Sequence, residues 1–313
     1  MKKISMRSNE SMTLEEGFRL FIKMCNIKNL SPKTTETYEW HYAIFTKFIP
    51  SETYLEQIDK KTLDDYIIYL KSKGSCREIT INSYLRSLRA FLGYMMKEKY
   101  MKQFTIQMLK VDKKIKETYT NDELKILLKK PDIKDCDFTE YKTWVFSNYL
   151  LATGNRISSA LNLRINDLDF DNLLILVNKT KNRKAQIIPM SKSLANILNE
   201  YLQYRNGEGE DYVFCNSCGE QGNIHTYQGI LLRYNRKRGV MKTSAHLYRH
   251  TFSKLWILNG GDIFRLQKML GHSDLSVVKE YVQMFGNDLA INFDRFNPLD
   301  QLGINQQQKY IKM

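Results

Sequence analysis

The chain has 313 residues, 42% hydrophobic and 26% charged, which suits two folded domains and excludes general disorder. Lys and Arg number 48 against 34 Asp and Glu, a net charge of +14, so a polyanion is the favoured partner. The excess is not a tail: residues 1–117 hold 22 basic and 14 acidic side chains, or +8, leaving +6 for the rest. No run is long enough for a transmembrane helix, and the basic opening MKKISMRSNESM lacks the apolar stretch of a signal peptide. Five cysteines, an odd and sparse set, argue against a disulfide framework and predict a cytoplasmic protein.

Residues 1–11 are polar and are expected to form a flexible N-terminus. Four helices are predicted next. Thr13 and Glu16 have capping-box spacing, ahead of an apolar stripe at Leu14, Phe18, Phe21, Ile22 and Cys25. Ser31-Pro32 starts a second helix, with Tyr38, Tyr42, Phe45 and Ile49 on one face. A third runs from Asp59 through Leu63, Tyr66, Ile67 and Leu70 to a stop at Gly74. In the fourth, Ile81, Tyr84, Leu85, Leu88, Leu92 and Met95 face a core. Asn82, Arg86 and Arg89, four and three apart, form a row on another face that suits a DNA groove as well as it suits solvent. These helices make an all-helical domain over residues 12–101.

Residues 102–118, KQFTIQMLKVDKKIKET, read as a lysine-rich extended linker. The domain over residues 119–313 opens at Thr120 with capping-box spacing to Glu123. Helices are predicted to about residue 165. LLILV (173–177) and IIPM (187–190) are then expected to form a hairpin around the basic KTKNRKAQ turn, with further helices from residue 193. The fold class is therefore mainly α: an all-helical N-terminal domain and a mixed α/β, mostly helical domain with a small antiparallel sheet.

Taken singly, the residues that carry chemistry are unremarkable. Arg156 lies in ATGNRISSALNLR, Lys179 at the hairpin, and His246 and Arg249 three apart in SAHLYRHTF. His272 follows Gly271, the expected stop of a helix begun near Asp262, and Tyr281 lies nine residues later. In this order the strings TGNR, NKTKNR, HLYRH and LGH, followed by Tyr281, resemble the tyrosine recombinase (phage integrase) family over essentially the whole chain. The resemblance implies a DNA-binding core domain and a catalytic domain that cuts and rejoins double-stranded DNA. Arg156 and Arg249 would clamp the scissile phosphate. Tyr281 would be the nucleophile of a 3′-phosphotyrosine link, and Lys179 the acid for the leaving 5′-oxygen. His246 would take the phenolic proton or bond phosphate, and His272 would bond phosphate. No cofactor and no metal are implied. The partners implied are a second duplex held in a homotetramer and an accessory DNA-bending protein.

The length resembles that of Xer-type enzymes, whereas the hairpin and the YVQMFGNDL tail are more similar to recombinases of mobile elements. Ser159 stands where the family often has Glu, which opens the question of what braces Arg156. Lys181 and Lys184 are fallback choices for Lys179. The tail offers Leu289, Ile291, Phe293 and Phe296 for docking on a neighbouring subunit or on its own core. Two other functions use such a fold: a non-catalytic DNA-binding regulator and a type IB topoisomerase. A rival constellation is zinc on Cys215, Cys218, His246 and His250, though 27 residues separate Cys218 from His246, far beyond a zinc finger's interval. His41 and His225 read as isolated surface or satisfied histidines.

Overall fold

A computed structural model describes residues 11–74, 76–112, 117–178, 185–271 and 297. The chain divides into two compact units between Lys114 and Ile115. Among the described residues it is mainly helical, with one small antiparallel sheet.

The first unit is built from α1 (Leu14–Ile27), α2 (Pro32–Phe45), α3 (Lys60–Ser72) and α4 (Glu78–Lys97). Thr13 and Glu16 close the expected capping box on α1. Asp59 caps α3, and the chain leaves that helix through Gly74 at φ 62°. The apolar stripe of α4 is buried throughout and packs on α1 and α2. Aromatic rings fill the space between them: Phe18 stacks on Tyr42 at 3.8 Å and meets Phe91 edge-on at 5.3 Å. His41 is buried in this core and shares a hydrogen bond with Ser87 at 2.6 Å.

The row on α4 does not survive as one surface. Asn82 is buried, and its amide both donates to the Leu109 carbonyl (2.9 Å) and accepts from the Leu109 N–H (2.8 Å). Arg89 is exposed but donates to the Ile106 carbonyl, and Arg86 is exposed. The same contacts revise the linker. Met101 and Ile106 are buried in the core of this unit, with Phe104, Met108 and Leu109 packed against it. Residues 101–109 are therefore an extended flap on α4, held by an asparagine that mimics a strand partner. The periodicity that placed Asn82 beside the arginines had no means of registering a chain segment lying across it.

The second unit surrounds α6 (Phe138–Thr153), which packs against α5 (Asn121–Leu128), α8 (Lys192–Arg205), α9 (Ile224–Lys237) and α10 (Ala245–Leu258). Tyr141, Trp144, Val145, Phe146, Tyr149 and Leu150 are all buried, so α6 is apolar around its whole circumference, as a central helix must be. Thr120 and Glu123 close the predicted capping box at α5. After α6 comes only one turn of α-helix, α7 (Ile157–Ala160), where helix was expected to about residue 165. The sheet runs β1 (Leu168–Asp169), β2 (Leu174–Val177) and β3 (Gln186–Pro189), all antiparallel in that order. Val177 pairs with Gln186 at the turn end of the expected hairpin, and two-residue β1 is too short to leave an alternating pattern. The last described helix is α11 (Ile263–Leu270), packed through Leu266 and Leu270 on Phe252, Trp256 and Ile257.

Replacing Asn82 with alanine strands the Leu109 N–H and C=O, and is expected to destabilise the protein by about 1–3 kcal/mol. Arg86→Ala, on an exposed site, should stay within about 0.5 kcal/mol of the parent. Denaturant unfolding of both variants checks the contrast.

Candidate active site

The site grows from the end of α6. Gly154 caps this helix in the left-handed region at φ 63°, and a Cβ there would lie 2.5 Å from the Phe252 ring and 3.0 Å from Leu270. Only glycine suits both constraints. Asn155 is buried and donates to the Tyr149 hydroxyl (2.8 Å), which fixes the turn leading to Arg156. The Gly154 carbonyl accepts from Arg249 Nη1 at 2.8 Å.

Arg249 projects from α10, whose first turn is capped by Ser244 accepting from the Leu247 N–H at 3.0 Å. The arginine is only 4% exposed. Its Nη2 donates to the Leu270 carbonyl at 2.8 Å, and Arg156 Nη1 reaches the same oxygen at 3.4 Å, the long end of the hydrogen-bond range. Leu270 is the last residue of α11, followed by Gly271 in the left-handed region at φ 61°. Trp256 Nε1 donates to the Asp262 carbonyl (2.9 Å), joining the end of α10 to the start of α11. A helix C-terminus carries partial negative charge on its unpaired carbonyls, so it favours the two cations. This oxygen answers the question raised by Ser159, which is itself buried: a main-chain carbonyl braces Arg156.

His246 lies one turn before Arg249 on α10 and reaches solvent. Partial burial of its ring, then the charges of Arg249 and Arg156, hold the imidazole below its ordinary value. It is therefore neutral at physiological pH and able to accept a proton. Three predicted residues, Arg156, His246 and Arg249, are thus brought together. Lys179, His272 and Tyr281 lie outside the described residues, as do Lys181, Lys184 and the apolar side chains of the tail.

The flanks of two of those positions are described. Asn178, the residue before Lys179, donates to buried Asp167 at 2.6 Å, and the other Asp167 oxygen accepts from the Arg164 N–H at 2.8 Å. Gln186, across the hairpin, donates through Nε2 to the Lys268 carbonyl of α11. Sequence reasoning missed Asp167, Asn178, Gln186 and the Leu270 carbonyl. A main-chain oxygen leaves no trace in residue identity, and no periodicity marks the other three.

The zinc grouping does not form. Among the described residues no three His, Cys, Asp or Glu side chains gather around one point. Cys215 and Cys218 belong to a turn in which the Asn216 side chain accepts from the N–H groups of Cys218 and Glu220. The Cys215 carbonyl accepts from buried Lys142 (2.8 Å) and Tyr227 (3.0 Å), so this turn closes the core against α6 and α9. No helix of the described residues is long and apolar enough to cross a membrane.

The family model described as "Phage integrase family" matches residues 117–287, more than half of the chain, and "Phage integrase SAM-like domain" matches residues 16–115. The chain belongs to the phage integrase family. Among its relatives, tyrosine recombinase XerC of Leptospira interrogans is 28% identical over 282 residues, covering 88% of this chain and 90% of the relative. Tyrosine recombinase XerD of Staphylococcus aureus is 24% identical, covering 91% and 99%. The Tn1549 transposon integrase in complex with transposon right end DNA shares the fold, with a TM-score of 0.75 and 20% identity over 91% of this chain and 99% of that one. The XerH recombinase bound to palindromic difH substrate follows at 0.68 and 22%, covering 89% and 84%. This integrase is accordingly an enzyme of the tyrosine-type DNA recombinase class.

Arg156→Gln removes a positive charge from beside His246, so protonation becomes easier and the imidazole pKa should rise toward the ordinary value of about 6.5. Titration of the ring protons by NMR reads this directly. An unchanged or lowered pKa would separate the histidine from the arginine pair.

Proposed function

We propose that this integrase cuts and rejoins duplex DNA at specific sites through a 3′-phosphotyrosine at Tyr281, and that it integrates or excises a mobile element. The observation that carries the reading is the convergence of Arg156 and Arg249 on the Leu270 carbonyl at the end of α11, two residues before His272, with His246 within reach of their charge. Two guanidiniums match the non-bridging oxygens of a phosphodiester, whose charge grows as phosphorus becomes five-coordinate. The Tyr281 oxygen forms the new bond to phosphorus as the bond to the 5′-oxygen breaks. Neutral His246 takes the phenolic proton, Lys179 supplies one to the departing 5′-oxygen, and His272 bonds phosphate. A 5′-hydroxyl of the second duplex reverses these steps, so the energy of the broken bond is kept and no nucleotide cofactor is consumed.

Four protomers on two duplexes complete the exchange, with a DNA-bending protein as a further partner. The mobile-element setting rests on the KTKNRK hairpin and the YVQMFGNDL tail, and the match of fold to a transposon integrase agrees with it. On the first unit, exposed Arg86 is the leading contact to DNA phosphate, with Arg89 beside it and Asn82 acting from below as a brace.

Tyr281→Phe should abolish the covalent DNA adduct while leaving duplex affinity nearly unchanged. A substrate with sulfur in place of the leaving 5′-oxygen needs no proton on departure, so it should restore cleavage to Lys179→Ala but not to Arg156→Ala or Arg249→Ala. Adduct formation in single-turnover assays decides both points. Rescue of Lys181→Ala or Lys184→Ala instead would move the acid to another lysine. Relaxed circles without recombinant joints would mark a topoisomerase.

A further inference from the structure

Gln186 is the first residue of β3, opposite Val177 at the turn end of the hairpin. Its side chain leaves the sheet and crosses to the last turn of α11. Nε2 donates to the Lys268 carbonyl, and Oε1 lies 2.9 Å from the place a Cβ on Gly271 would occupy. The amide group therefore lies across the left-handed turn that ends the helix. That turn already uses the Lys268 carbonyl, which accepts from the Gly271 N–H at 3.0 Å. Between Lys268 and Gly271 sits Leu270, whose oxygen receives both Arg249 and Arg156.

We propose that Gln186 is a positioning residue for the two-arginine clamp, holding the turn that presents the Leu270 carbonyl to both guanidiniums. That this clamp is the reaction centre rests on the function proposed above. The physical case is that helix ends fray, because their last carbonyls lack partners within the helix. α11 has only eight residues, so its final turn is a large part of it. A side chain from a neighbouring strand that binds this turn stops the fraying. One displaced carbonyl would loosen two arginines at once, and misplacement of about 1 Å can cost on the order of 10² in rate. Gln186 binds the turn through the Lys268 carbonyl, so the influence proposed for it passes through main chain.

The test uses the full chain with Gln186→Leu, which keeps side-chain bulk and removes the donor. Gln186→Thr, which suits a strand, repeats it with a second side chain. The first readout needs no activity. In DNA-free protein the His246 pKa should rise, because the arginines that hold it down are no longer fixed beside it, and amide exchange at Gly271 should quicken at least tenfold. The second readout is single-turnover cleavage, expected to fall about tenfold to a hundredfold with duplex affinity within twofold. A His246 titration and Gly271 exchange identical to the parent in both variants overturn the proposal, whatever the cleavage rate. Shifts in both with cleavage unchanged sustain the positioning role and instead contradict the clamp as the reaction centre.

Discussion

A guanidinium cannot shed its proton inside a protein, so a buried arginine must be met by fixed acceptors. Arg249 is in that position, and the acceptors are the carbonyls of Gly154 and Leu270, at the C-terminal ends of α6 and α11. Both ends carry the negative pole of a helix dipole, an environment worth about 0.3–1 kcal/mol to a cation at the surface and more when partly buried. Much of the second unit serves to bring these two ends together. α6 is wrapped by four other helices, α11 is tied to α10 through Trp256, and Gly154 lacks the side chain that would collide with Phe252.

The same arrangement explains why the arginines remain useful. A carbonyl dipole orients a guanidinium without cancelling its charge, so the pair keeps its attraction for a phosphate. Partial burial of His246, reinforced by the charges of the two arginines, holds its imidazole below the ordinary value. In the proposed reaction, clamping and proton transfer are therefore not independent. One geometry offers an anion a cationic surface with a neutral imidazole beside it.

Helices with strong amphipathic stripes and caps were legible in the sequence because burial and capping act over three or four residues. Thr13, Asp59 and Thr120 stand where the helices begin, and the stripe of α4 is buried residue for residue. What escaped was set by distant chain. The flap at residues 101–109 turned Asn82 from an expected DNA contact into a buried brace, and the short strand β1 depends on its partner β2. The arginines and His246 were recognisable through their strings, TGNR and HLYRH, and the structure gathers them. Their acceptors were not recognisable, since Leu270 contributes an oxygen that any residue would provide. Gln186 carries no motif, and its contact exists only because strand and helix meet in space.

The central claim is that Arg156 and Arg249, anchored on one carbonyl, act as a single device. A double-mutant cycle on single-turnover cleavage, using alanine at each position and at both, tests it most directly. Residues that work as a unit lose most of their effect with the first substitution. The double variant should therefore be within about tenfold of the slower single variant. Losses that multiply across the two sites would show that the arginines act independently and contradict the shared anchor as the organising feature.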